Sequence, residues 1–392
     1  MKKGWQTKTL GDVLEKTETV NPLQSPSVEF DYIDVSSVSN TTFEIQETQR
    51  LKEKDAPSRA RKLVRTNDII LATIRPTLQR IAVVPEHLDK QVCSTGYFVL
   101  RPKQGIDHRF VFYSLFTENF IEQMESLQKG ASYPAVTDGY VRAQEIPVPP
   151  LAEQQRIVGV LDEAFEGLAT AKANAEKNLQ NARALFESHL QSVFTQRGPR
   201  WVEKPLGEIA DLLDCLHKTP TYAESGFPMV RVTDINPGFL DLSKTRKVDE
   251  QTFIAFSKGR TPRVGDIVFS RVGSCGVSAL VNSDEPFCLG QNTVFILPKM
   301  NLMLLYHFLN SPNAKEQFEG FIDGTTQPTI SMKSIRQVAV PIAPPAEHSR
   351  LVASLDSMRE ETQPLARLYE RKYAALEALK KPLLHQAFTG AL

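Results

Sequence analysis

The stretch AEQQRIVGVLDEAFEGLATAKANAEKNLQNARALFESHLQSVF, residues 152–194, decides the fold. It contains no proline. At 1.5 Å per residue its ~43 residues make a helix about 64 Å long, well beyond the mean globular helix. Pro149 and Pro150 stand before it, Glu153 sits in its first turn, and Gly198 and Pro199 close it. A carboxylate there favours the positive end of the helix. Apolar residues recur at near-heptad spacing: Ile157, Leu161, Ala164, Leu168, Ala171, Ala175, Leu179, Ala182, Phe186, Leu190 and Val193. That is a coiled-coil seam, with four-residue steps that disturb the heptad. Such a seam needs a partner along its length.

The chain supplies that partner by repeating itself. Residues 346–388 carry a second seam of Leu351, Leu355, Met358, Leu365, Tyr369, Tyr373, Leu376, Leu379, Leu383 and Ala387. Pro364 and Pro382 lie inside it. Each removes a backbone donor, so a kink or short break is expected near each. The repeat extends through the whole sequence. Trp5 recurs as Trp201, and Leu10-Gly11-Asp12 as Leu206-Gly207-Glu208. Asn67-Asp68-Ile69-Ile70 recurs as Gly265-Asp266-Ile267-Val268, and Phe98-Val99-Leu100 as Phe295-Ile296-Leu297. Further on, Gly130, Pro134, Pro147, Glu153 and Leu161-Asp162 match Gly324, Pro328, Pro341, Glu347 and Leu355-Asp356.

Each half therefore reads as one globular domain followed by one helix. The boundaries fall at 1–150, 151–198, 199–345 and 346–392. Short apolar runs bounded by Gly, Pro or charges predict strands at 32–38, 69–74, 81–84 and 96–100. In the second half they lie at 229–235, 267–269, 277–281 and 293–297. A helical pattern follows each set, over 109–127 and 302–322. The fold class is α+β: two similar mixed α/β domains separated by two long antiparallel helices, with pseudo-two-fold symmetry.

Composition allows this. Hydrophobic residues make up 41% and charged residues 23% of 392, enough for cores and a solvated surface. No apolar run is long enough to span a bilayer, and the N-terminus lacks a secretory apolar stretch. A cytoplasmic protein is expected, with Cys93, Cys215, Cys275 and Cys288 as free thiols and no metal site. The formal net charge is zero. That weighs mildly against a simple nucleic-acid binder, so local clusters matter more than the sum.

Such clusters exist in both halves. The first has Arg59, Arg61, Lys62 and Arg65, then Arg75 and Arg80. The second has Arg231, then Lys244, Arg246, Lys247, Lys258, Arg260, Arg263 and Arg271. They can neutralise phosphates, and the arginines can fork onto guanine edges. The segments 73–80 and 270–276 follow a strand in equivalent places and pair an arginine with turn-forming residues. The loops 130–136 and 324–329 form the next matched pair, and Thr326 and Gln327 offer neutral donors and acceptors.

Together these residues resemble the specificity subunits of type I restriction–modification enzymes. The most specific marks are Ile146-Pro147-Val148-Pro149-Pro150-Leu151-Ala152-Glu153-Gln154-Gln155-Arg156-Ile157-Val158, its echo at 340–351, and Leu383-Leu384-His385-Gln386-Ala387-Phe388-Thr389-Gly390. The resemblance covers essentially the whole chain. It implies that each globular part is a target recognition domain reading one half of a split double-stranded DNA site. The helices would set the gap and dock two modification subunits, which would carry S-adenosylmethionine and methylate adenine. Restriction (motor–nuclease) subunits could join them. Seam residues Ile157, Leu161, Leu168, Leu179, Phe186, Leu351, Leu355, Tyr369, Leu376 and Leu383 are the candidates for partner binding.

No catalytic constellation is expected in this chain, nor a cofactor of its own. It has no GxxxxGK[ST] loop and no Asn/Asp-Pro-Pro-Tyr/Phe motif. Asp68 and Asp266 start an apolar strand in both halves and are read as strand entry. His189 and His385 lie at or near the seam and are read as structural. The competing class is a coiled-coil adaptor that binds proteins through its globular ends, with no DNA role. The repeat and helices fit it as well, and the basic clusters and the motifs do not.

Overall fold

The computed structural model describes residues 4–22, 29–130, 132–257, 260–324 and 328–392. Strand Glu145–Val148 gives way to Pro149 and Pro150, and helix Leu151–Thr195 begins on the next residue. Proline has no N–H to donate, but the Pro150 carbonyl accepts from Glu153 (2.8 Å) and Gln154 (3.0 Å). The buried Gln154 side chain fixes this joint. Its Nε2 donates to the Pro149 carbonyl (2.8 Å), and its Oε1 accepts from the Asp107 N–H (2.8 Å). In the second half His348 Nε2 lies 2.8 Å from the Ala343 carbonyl, at the start of helix Pro345–Ala378.

The chain divides into two units, Met1–Ala175 with Arg371–Leu392, and Glu176–Glu370. In the first unit, a sheet runs Ile81–Val83, Ile69–Ala72, Tyr97–Leu100, all antiparallel. A second runs Gln49–Lys52, Glu29–Ile33, Val92–Ser94, Ala60–Leu63, with its central pair parallel. Strand Gln6–Thr9 pairs with Glu145–Val148. Every residue of Ile69–Ala72 is buried, because both faces of the sheet are covered. Ile69 and Leu71 join a core with helix residues Val111, Phe120 and Met124. Ile70 and Ala72 join another with Ile33, Val64 and Cys93.

The second unit repeats the plan. One sheet runs Ala210–Asp214, Thr293–Pro298, Ile267–Ser270, Ser278–Leu280, and the other Arg246–Val248, Phe227–Val230, Cys288–Leu289. Strand Val202–Pro205 pairs with Ala339–Ile342. Again the central strand splits its side chains, Ile267 and Phe269 to one core and Val268 to the other.

Some expected elements end sooner. The strand anticipated at 32–38 stops at Ile33, where the Asp34 N–H donates to Ser37 Oγ and a short 3₁₀ turn follows. That at 229–235 stops at Val230, where the Asp234 carboxylate takes the Arg231 N–H. Each single helical pattern is two helices. His108–Ser114 and Glu118–Leu127 are separated by a turn in which Thr117 Oγ1 donates to the Ser114 carbonyl. Leu302–Leu309 and Pro312–Gly320 are divided by Ser311, which caps the second helix with proline as its first residue.

Within each unit the long helices pack antiparallel. In the first, Arg156 reaches the Leu392 carbonyl (2.9 Å), and Lys172 pairs with Glu377. In the second, Arg183 meets Glu370 (2.5 Å), and His189 lies 3.0 Å from Ser354. The residue number falls on one helix as it rises on the other. Pro364 does not interrupt helix Pro345–Ala378, contrary to a break there. The break comes at Leu379, and it places Pro382 in the first turn of helix Lys380–Thr389, where no donor is required.

Candidate nucleic-acid interface

In each unit the two matched loops are hydrogen-bonded to one another. In the first, the Arg75 N–H donates to the Pro134 carbonyl (2.7 Å), and the Val136 N–H to Thr73 (2.9 Å). In the second, Gly273 donates to Pro328 (3.0 Å), and Ile330 to Arg271 (2.9 Å). Ladder bridges Ile74–Ala135 and Val272–Thr329 lie between these bonds. The same two-loop platform is therefore built twice, at the end of a fully buried strand.

The segments 73–80 and 270–276 hold equivalent places, and their register sets Arg75 against Gly273 and Thr73 against Arg271. Both Arg75 (φ 50°) and Gly273 (φ 72°) have left-handed backbone, which is costly for any residue but glycine.

The predicted basic residues separate into two groups. Lys62 Nζ donates to the Tyr97 carbonyl (2.6 Å) and Asp138 (2.9 Å). Arg80 donates to the Val38 carbonyl (2.7 Å) and, at 3.3 Å, to those of Val35 and Ser36. Arg231 forks onto Asp234, and Nη2 of Arg260 donates to both oxygens of Asp266. Arg271 holds both oxygens of Asp214 at 2.9 Å and donates to the Ile330 carbonyl. These five are tied into the fold, so their assignment as free DNA contacts gives way to an internal role. Arg59, Arg75, Lys244, Arg246 and Lys247 are exposed, and Arg61 is half-buried. Lys258, Thr326 and Gln327 lie outside the described residues.

Two tyrosines escaped the sequence reading. Tyr133, 71% exposed, has the Arg75 guanidinium 5.2 Å from its ring centre. Tyr222, 38% exposed, has that of Arg246 at 4.7 Å. The available signal was an aromatic beside Pro134 in a matched loop.

Asp214, Cys215 and His217 bring possible ligand atoms within 4.8 Å of one another. The Arg271 guanidinium already lies on the Asp214 carboxylate, and burial raises the Cys215 thiol pKa. That combination opposes a bound cation. Asp68 and Asp266 are structural: each carboxylate accepts the backbone N–H three residues earlier, Arg65 (2.8 Å) or Arg263 (2.9 Å), and an arginine side chain besides. Among the seam residues, Ile157 and Leu161 pack against Phe110, Leu384 and Phe388, and Leu351 and Leu355 against Leu190 and Phe194. Leu168 is buried too, while Leu179, Phe186, Tyr369, Leu376 and Leu383 are half-buried. Among the described residues, no helix is long and apolar enough to cross a membrane.

A duplicated α+β reader carried on paired helices is the architecture of a DNA specificity protein. The chain belongs to the family described as type I restriction modification DNA specificity domain, which matches residues 2–179 and 199–368. It is 22% identical over 276 residues to the type I restriction enzyme EcoBI specificity subunit of Escherichia coli, covering 63% of this chain and 58% of that one. It thus spans less than two thirds of that relative's length. Among solved structures it resembles a chain from a study of complex assembly and conformational transition in the type I R-M system. The TM-score is 0.83 and the identity 28%, covering 100% of this chain and 99% of that one. It also resembles the HsdS subunit from Thermoanaerobacter tengcongensis, with TM-score 0.63, 28% identity, and coverage of 100% and 98%.

Proposed function

We propose that this chain is the DNA sequence-recognition subunit of a cytoplasmic type I restriction–modification complex. Each unit reads one half of a bipartite site. The helix pair sets the spacer between the halves. Two modification subunits dock on it, bring S-adenosylmethionine and methylate adenine, and restriction subunits can join them. The chain itself contributes recognition and not catalysis. The observation that carries this reading is the loop platform built twice with the same backbone bonds, at Arg75–Pro134 and Gly273–Pro328.

The internal use of Ile157, Leu161, Leu351 and Leu355 moves partner docking off the seam. Exposed helix residues outside it, such as Leu185 and Leu368, are better candidates for the modification subunits.

The test is a salt-titrated binding assay of this chain with its modification partner, together with mapping of methylated adenines in host DNA with and without the gene. Salt-sensitive binding and one bipartite methylated motif that depends on the gene are expected. Salt-insensitive or absent DNA binding, with no such motif, would instead fit a protein-binding adaptor.

A further inference from the structure

We propose that two arginine-on-tyrosine stacks are the specificity-determining elements of the two readers: Arg75 on Tyr133 in one half-site, and Arg246 on Tyr222 in the other. The inference rests on the DNA-recognition reading above and names the side chains that carry it.

A base-reading arginine must keep its fork free, since both nitrogens are needed for the O6 and N7 acceptors of guanine. Arg101 and Arg231 give theirs to carboxylates within the fold, and Arg65, Arg260 and Arg271 each commit one guanidinium nitrogen to a carboxylate. Arg80 gives its to three carbonyls. Arg75 and Arg246 are exposed, and among the described residues neither has a carboxylate partner; Arg75 makes one long bond, Nη2 to the Ser132 carbonyl (3.4 Å), which leaves Nε and Nη1 uncommitted.

An arginine free in water loses side-chain entropy when it binds. A ring beneath the guanidinium holds its plane while leaving the N–H edge open. Both rings are anchored from their backbones. Tyr133 adjoins Pro134, whose carbonyl accepts the Arg75 N–H. Tyr222 adjoins Ala223, whose N–H donates to the Lys247 carbonyl beside Arg246 (2.8 Å).

Backbone strain at Arg75 is a third observation. It holds the left-handed conformation that the second unit assigns to Gly273. A glycine would relax that position, so the side chain is kept against a local cost, which is a mark of function. Because Gly273 has no side chain, the second unit takes its free arginine from a different place, the edge strand Arg246–Val248. The two readers thus share a backbone and differ in the arm that carries the fork. Each half-site then contains a G·C pair read by its own arginine.

The experiment uses the full chain with its modification partner. Methylated adenines are mapped in cells carrying each variant, and binding is measured on duplexes altered one base pair at a time. Arg75→Gly suits the backbone, and Arg75→Lys keeps the charge while removing the fork. Both should lower the preference for G·C at one position of one half-site by about tenfold or more, leaving the other half-site intact. Arg246→Lys should do the same in the other half-site. Tyr133→Ala should relax the same position as Arg75→Gly, and Tyr133→Phe, which keeps the ring, should restore it. If Arg75→Lys matches the wild type, or if Arg75→Gly weakens every sequence equally, the arginine touches phosphate and the inference is overturned. A wild-type complex that modifies a bipartite site while all these variants keep full specificity overturns this inference alone. A wild-type complex that modifies no DNA overturns the recognition reading and this one with it.

Discussion

His307 and Asp356 lie 3.4 Å apart where helix Leu302–Leu309 meets the second long helix, and the first unit places Tyr113 against Asp162 in the same position. Arg109 joins Asp162 in the first unit (2.7 Å), and Arg359 approaches Asp356 in the second (3.1 Å). An aspartate on each long helix thus receives a polar side chain from the globular part, with an arginine beside it. The imidazole is 2% exposed and packs near Phe186.

That joint predicts an acid-sensitive second unit. Burial, only partly offset by Asp356, lowers the His307 pKa from its usual 6.5. The folded state therefore binds fewer protons than the unfolded one in mildly acid solution, and stability falls as the proton concentration rises. Stability should be full above pH 6.5 and decline from there toward the folded pKa. Denaturant unfolding across pH, with hydrogen exchange to locate the loss in residues 176–370, should show this slope. His307→Gln should flatten it, and an unchanged slope in that variant would assign the titration elsewhere.

Asp68 predicts a folding defect. Its side chain is 2% exposed and accepts from the Arg65 N–H and the Arg101 fork. Removing one member of a buried pair costs about 3 kcal/mol. Asp68→Ala should lower the unfolding free energy by that order. Unfolding like the wild type, with a biochemical activity abolished, would contradict the structural role.

The two prolines of the second long helix should behave differently. Pro364 lies inside a continuous helix, and Pro382 in the first turn of the next one. Pro364→Ala should raise stability by about 1–2 kcal/mol, restoring a donor that the helix interior uses. Pro382→Ala should change it by less than about 0.5 kcal/mol. Thermal unfolding of the two variants compares them directly, and equal shifts would contradict this account.

Helix length should set the spacer. Removing seven residues from each long helix at facing positions, around Lys172 and Glu377, shortens the pair by about 10 Å. That is the rise of roughly three base pairs. Methylation mapping should return the same two half-sites with a shorter gap. An unaltered gap would refute the helices as its measure.

The long helices and the central strands were legible because they rest on local patterns. Heptad spacing located the first helix within a residue at each end, and the runs at 69 and 267 became the central strands. The two short helical pairs were not separated, since Ser114, Thr117 and Ser311 act through local bonds that periodicity does not register. The interface was the least legible part. Whether a basic residue is free depends on carboxylates far along the chain, such as Asp138 for Lys62 and Asp214 for Arg271. Tyr133 and Tyr222 gained meaning only once their arginines were seen above them.

The central claim is that each half of the chain reads its own half of the target. Exchanging residues 1–150 for the first domain of another family member, then mapping methylated adenines, tests it most directly. A change confined to one half-site, with the other and its methylation retained, is the predicted result. A change in both half-sites would contradict it.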